Sequence, residues 1–167
     1  MSSFSTAITP EQAELIRTCA LFFVASADPR LAEGPDGSGP VNVSPKGGVT
    51  LHMLSENRVA YLDTVGSGNE TARHAAGGGP VTVMVCSFDA DAAIVRLYGH
   101  ARAVPFAESA LAAVLKGEAR QLSSGPRQVI EIDVERTMTS CGYGVPLMEV
   151  VRERRRTDRG RRFKPGA

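Results

Sequence analysis

Between residues 66 and 71 the chain places Gly66, Ser67, Gly68, Asn69, Glu70 and Thr71. Two hydroxyls, one amide and two residues without a Cβ in so short a span are the donors that hold an oxyanion. Glycines let the backbone approach closely, and the N–H groups that open the following helix point at one place, which attracts phosphate. Asn69 or Ser67 can cap that helix, and Glu70 suits its positive end. Lys46, in the Lys46-Gly47-Gly48 turn after a strand, is a cation that could reach the same anion. Glycine, serine and asparagine also serve ordinary strand-to-helix turns, so the pattern nominates a site without deciding it. It lacks the Gly-Lys-Ser/Thr ending of a P-loop. It half-matches a dinucleotide fingerprint, but strands follow it where a strand–helix–strand unit is required.

Other reactive side chains form no set. His52, His74 and His100 lie on different segments without ligand spacing, so no zinc site is expected. His74, on the helix after the glycine turn, either approaches the anion or faces solvent. No Gly-x-Ser-x-Gly elbow or Cys/His pairing supports hydrolysis. Cys141, in Cys141-Gly142-Tyr143-Gly144, reads as a reactive thiol or as a small turn residue. Arg96 and Arg102 share one face of a strand by their even spacing. They balance a phosphate or an anionic reduced cofactor, or simply line an exposed face. No general acid or base can be nominated.

The elements that must position these groups are mostly strands. Thr9-Pro10-Glu11-Gln12 is a helix start with a capping box, and the helix is predicted over 10–18. Strands are predicted over 21–26, 41–45, 49–54, 58–63, 81–86, 94–104 and 128–134, from their apolar runs and alternation. A helix over 69–76 follows the glycine turn. Another over 106–116 has Ala107, Ala110, Leu111, Val114 and Leu115 as its buried stripe. Residues 28–40 form a loop rich in proline and glycine. The fold class is mainly β with flanking helices, as a closed or half-closed antiparallel barrel.

At 167 residues, 43% hydrophobic and 22% charged, the chain is one globular domain. It is divided here into a domain over 1–146 and a basic, partly flexible tail over 147–167. Residues 152–164 hold eight basic and two acidic side chains within a chain of net charge +1. Without interleaved aromatics this tail reads as solvated, and nucleic acid is not the expected partner. No apolar run approaches a membrane span, and the first residues lack the pattern of a signal peptide. Three separated cysteines suit a reducing compartment, so a cytoplasmic location is expected.

The run Val41-Asn42-Val43-Ser44-Pro45-Lys46-Gly47, then Tyr61-Leu62-Asp63 with Gly66-Ser67-Gly68-Asn69-Glu70-Thr71, then Arg96-Leu97-Tyr98-Gly99, resembles the pyridoxamine 5′-phosphate oxidase-like family of split barrels. The resemblance spans residues 12–137 and is greatest to an uncharacterised branch, which Cys141-Gly142-Tyr143-Gly144-Val145-Pro146 also suggests. It implies a six-stranded antiparallel split β-barrel, a homodimer, FMN at the dimer interface and a small-molecule substrate. Carried over by position, it implies cofactor contacts at Val43, Ser44, Lys46, Leu62, Asp63, Ser67, Gly68, Asn69 and Thr71, to which the residue reading adds His74 and Arg96. Gly68 and Asn69 stand where true oxidases carry an Arg-Lys pair, and the chain has no Trp. Oxidation of pyridoxamine phosphate is therefore not expected. Charge compensation falls to Lys46, helix amides and Arg73 or a partner's arginine. The same resemblance leaves open the deazaflavin F420, for whose acidic tail residues 152–162 are basic enough, and a non-catalytic flavin- or haem-binding protein.

Overall fold

The computed structural model describes residues 2–66, 68–122, 125–154 and 158. Among these, the chain forms eight strands and three α-helices: β1 (Ser3–Ser5), α1 (Pro10–Thr18), β2 (Leu21–Ala27), β3 (Val41–Gly47), β4 (His52–Ser55), β5 (Arg58–Thr64), α2 (Glu70–Ala76), β6 (Pro80–Cys86), β7 (Ala93–Pro105), α3 (Ala112–Gln121) and β8 (Pro126–Cys141). Helix α1 starts as its residues dictate. The Gln12 amide donates to Thr9 Oγ1 at 3.3 Å, and the Gln12 side chain accepts from the Thr9 amide at 3.1 Å.

All strand pairs are antiparallel, in the order β3-β2-β6-β7-β8-β5-β4, with β1 on the far half of β8. The resemblance implies six strands and the residue reading seven; the described residues form eight, the addition being β1, which finds a partner because β8 is 16 residues long. Its first half pairs with β5 and its second half with β1, while β7 runs along its other side. The last strand was expected to stop at Val134. It continues past a bulge opposite Tyr98 and Gly99, where β7 and β8 come so close that a Cβ on Gly99 would strike the Asp133 carbonyl. Glycine is the residue that permits this approach.

The sheet curls on itself. Phe22 of β2 and Tyr61 of β5 are separated by three strands in the sheet order. Their rings nevertheless meet edge to face at 5.4 Å, inside a core with Val24, Val59, Val83, Leu97, Ile130 and Ile132. Such an aromatic pair contributes about 0.5–1.5 kcal/mol beyond its area.

Helix α3 covers the outer side of β5 and β8, with Leu115 packed on Ala60, Leu62 and Val129. The helix predicted at 106–116 is replaced by a short 3-10 turn at Phe106–Glu108 and by α3 six residues later. The stripe shifts with it: Leu115 is buried, but Val114 is exposed. Glu118 ties α3 to the sheet edge, accepting from the Thr50 amide at 2.8 Å and pairing with His52 at 2.5 Å.

Candidate functional site

Strand parity sets the site. Along β3, Asn42, Ser44 and Lys46 turn inward while Val41, Val43 and Pro45 turn outward, with Val43 64% exposed. Along β5, Val59, Tyr61 and Asp63 face the barrel interior, and Leu62 faces α3. Because the sheet curls, the end of β3 meets the end of β5. The Lys46 ammonium sits 5.5 Å from the Tyr61 ring centroid and 3.4 Å from Asp63 Oδ1. Helix α2 closes the third side, where Asn42 donates to Thr71 Oγ1 at 3.4 Å.

These elements enclose a cavity of about 360 Å³ walled by Asn42, Ser44, Lys46, Asp63, Thr71 and Arg127, with Gly68, Asn69 and Glu70 at the glycine turn. Small-molecule sites run from roughly 300 to 1,000 Å³. The polar centre is Asp63, only 10% exposed in its side chain. Arg127 donates to its Oδ2 through Nε at 3.1 Å and Nη2 at 2.7 Å, and Gln128 donates to the same oxygen at 2.8 Å. Arg127 Nη2 also donates to the Gly68 carbonyl at 3.0 Å, which anchors the turn.

Among the described residues, Ser44 Oγ and the Tyr61 hydroxyl of this region are buried without a hydrogen-bond partner. The Thr71 hydroxyl lies close enough to Tyr61 to interact with it, but short of hydrogen-bond geometry. Burial, with the Asp63 charge second, pushes the Tyr61 phenol far above its ordinary value.

The structure thus brings together Ser44, Lys46, Asp63, Gly68, Asn69 and Thr71. Val43 and Leu62 lie beside them with side chains directed away. Ser67 lies outside the described residues. Asn69 takes the N-cap position of α2 but makes no cap bond, because its Oδ1 accepts from Gln128 at 2.8 Å. His74 does not face solvent. It is a fully buried residue of α2, its Nδ1 at 2.9 Å from Ser26 Oγ, and it does not line the cavity. Arg73 is engaged by the 28–40 loop, donating to Ser38 Oγ at 3.2 Å, with Asp36 at 3.9 Å. Arg96 is on the opposite side of the sheet. It pairs across to Met84 and Met138 on the outer face and donates to Ser140 at 3.0 Å. Arg102 shares that face and bonds Glu131 at 2.7 Å. The reading of residues missed Arg127. Its signal was a basic residue opening a strand directly after Gly125-Pro126, the mirror of Lys46 closing one.

No family model matches the chain. It is similar to a pyridoxamine 5′-phosphate oxidase family protein, ustO, from Aspergillus flavus, at 39% identity over 132 residues. That alignment covers 78% of this chain and 50% of the relative, so the chain spans about half the length of the curated relative it matches. HupZ of Group A Streptococcus superposes with a TM-score of 0.59 at 23% identity, over 78% of this chain and 91% of its own. A putative pyridoxamine 5′-phosphate oxidase from Lactobacillus delbrueckii gives a TM-score of 0.56 at 20% identity, over 80% and 94%. The chain has the fold of the pyridoxamine 5′-phosphate oxidase-like split barrels, and its sequence is similar to a protein of that family. A flavin-adenine-dinucleotide-binding protein from Mesorhizobium loti shares the fold more distantly, with a TM-score of 0.50 at 14% identity, over 83% of this chain and 97% of its own. No described helix of this split barrel is long and apolar enough to cross a membrane.

Proposed function

We propose that this split barrel is an FMN-binding oxidoreductase acting on a small molecule, with the flavin phosphate seated between β3, β5 and α2. One observation carries the reading: Lys46 and Arg127, from strands distant in sequence, converge on one cavity beside the Ser44 hydroxyl, which has no hydrogen-bond partner among the described residues. A phosphate monoester is a pure acceptor at its oxygens. The donors present, an ammonium, a guanidinium, two hydroxyls and an amide, fit it. Helix α2 has only seven residues, so its amides add little charge by themselves. The second cation is Arg127 rather than Arg73, whose guanidinium the 28–40 loop already occupies.

In this reading Lys46 and Arg127 hold the phosphate, Ser44 and Thr71 donate to it, and the Gly68-Asn69 backbone admits it. Asp63 keeps both cations extended into the cavity before a ligand arrives, which lowers the ordering cost of binding. A bound flavin supplies hydride or electron transfer, and the chain supplies its orientation and electrostatic surroundings.

The cofactor is proposed to lie at a homodimer interface. Pro45, Phe23, Met84, Arg96, Met138 and Phe4 form one row of directly paired residues across the outer sheet face. Val43, Ala25, Thr82 and Tyr98 form the next. Phe4 and Val43 are 59% and 64% exposed, and a second copy on this face would bury both rows and bring Arg96 of each chain to the interface.

The test is spectroscopic. Desalted protein, and ligand-free protein titrated with FMN, should show a retained two-banded flavin spectrum with saturable quenching of FMN fluorescence. Preference for F420 in competition, or a sharp haem band instead, would refute the FMN assignment while leaving the fold intact.

A further inference from the structure

Among the described residues, Glu70 is the charged side chain of the cavity wall that the phosphate reading does not use. It is half-buried at the first position of α2, and its carboxylate turns back over Gly68, so that a Cβ there would overlap its oxygens. The Gly68 carbonyl in turn accepts from Arg127 at 3.0 Å. Glu70, Gly68, Arg127, Asp63 and Lys46 therefore form one continuous wall of the cavity. Both cations make their ion pairs with Asp63, at 3.4 and 2.7 Å, and neither pairs with Glu70 among the described residues. Among the described residues the cavity thus carries two positive and two negative side chains, and none of them pairs directly with the second negative charge.

Resting on the reading of this cavity as a phosphate site, we infer that Glu70 is a built-in competitor of the anion and sets the site's ligand selectivity. A carboxylate resting over Gly68 repels an oxyanion entering between Lys46 and Arg127. A bare phosphate has only its own charge to set against that repulsion, so it binds poorly. A phosphate monoester with a large organic body has further contacts, and these displace Glu70 toward solvent. The site is therefore selective for large phosphorylated ligands over inorganic phosphate, by repulsion of the small competitor as well as attraction of the large one.

The experiment compares wild type with Glu70→Gln and Glu70→Ala by calorimetric titration with inorganic phosphate, FMN and riboflavin, which lacks the phosphate. The side chain is partly exposed, and circular dichroism with a thermal melt checks that both variants fold. Inorganic phosphate should bind both variants roughly tenfold more tightly than wild type, the size of effect expected for removing one nearby like charge. FMN should tighten by a smaller factor, and riboflavin should not change. Unchanged or weaker phosphate binding in both variants overturns the inference. Tighter phosphate binding in the variants, with neither FMN nor riboflavin binding any protein, would uphold it and sink the flavin reading instead. FMN binding in wild type with no change in the variants would do the reverse.

Discussion

Arg127 and Asp63 stand 64 residues apart in sequence and meet through two guanidinium nitrogens, at 2.7 and 3.1 Å from one carboxylate oxygen. The contact joins the start of β8 to the end of β5, where a register shift separates Asp63 from Thr64. The same guanidinium reaches the Gly68 carbonyl, so a single side chain fixes both the anchor carboxylate and the glycine turn. Lys46 makes one longer contact with the other Asp63 oxygen.

This asymmetry predicts an order of mutational effects. Arg127→Ala should weaken FMN binding more than Lys46→Ala, because it removes a charge-assisted donor and also releases the turn. A loss of about 1–3 kcal/mol is expected for each charge-assisted contact. Arg127→Lys keeps the charge but not the planar fork, so it should recover only part of the loss. Fluorescence titration with FMN measures all three. Equal affinities for wild type and Arg127→Ala would remove Arg127 from the site.

Tyr61 yields a prediction about pH. Its phenol has no hydrogen-bond partner among the described residues and is raised by burial first and by Asp63 second. For an acid whose folded pKa lies above its unfolded value, stability is fully present below the unfolded value, about 10 for tyrosine. It is lost as pH rises beyond that, because only the unfolded chain can then ionise. Tyr61→Phe deletes the ionisable group while keeping the ring against Phe22. Denaturant melts should show a small change at pH 7, within about 1 kcal/mol since no hydrogen bond is broken, and a higher alkaline midpoint. An unchanged alkaline midpoint would mean that another group controls unfolding there.

The strands and the strand-to-helix turn at 66–69 were legible in the sequence because local signals and burial agreed. Thr9 and Gln12 cap α1 as their types dictate, and Val59 to Leu62 reads as buried on both faces because α3 covers one of them. What the sequence concealed depends on curvature. Nothing in the spacing of Phe22 and Tyr61 says that β2 and β5 will touch across three intervening strands. Arg127 was missed for the same reason, since its partner Asp63 is distant in sequence and near only after β5 pairs with β8. His74 was misread because a short helix has two sides, and only the loop and β2 packing decide which is buried.

His74 separates structural from ligand roles. Its Nδ1 lies 2.9 Å from Ser26 Oγ in a fully buried setting. His74→Ala should cost about 2–4 kcal/mol in urea melts, through a cavity and an unpaired serine hydroxyl. FMN affinity measured well below the transition should stay within about twofold, because the imidazole does not reach the cavity, and a twofold change is about 0.4 kcal/mol. A large affinity loss with unchanged stability would place His74 at the ligand instead.

Val43 tests the proposed dimer face without disturbing the monomer. Its side chain is 64% exposed on edge strand β3 and shares a row with Ala25, Thr82 and Tyr98. On an isolated chain, Val43→Glu exchanges one exposed side chain for another, with a strand-propensity change below about 1 kcal/mol. Within an interface it buries an unpaired carboxylate, and its penalty of several kcal/mol appears in each of two symmetry-related copies. Sedimentation velocity should therefore show a dimer for wild type and a shift to monomer for Val43→Glu. If the cofactor lies between the two copies, FMN affinity must fall with the dimer and recover at high protein concentration. A Val43→Glu protein that stays dimeric would move the interface off this face, and one that is monomeric yet binds FMN as wild type does would confine the site to a single chain.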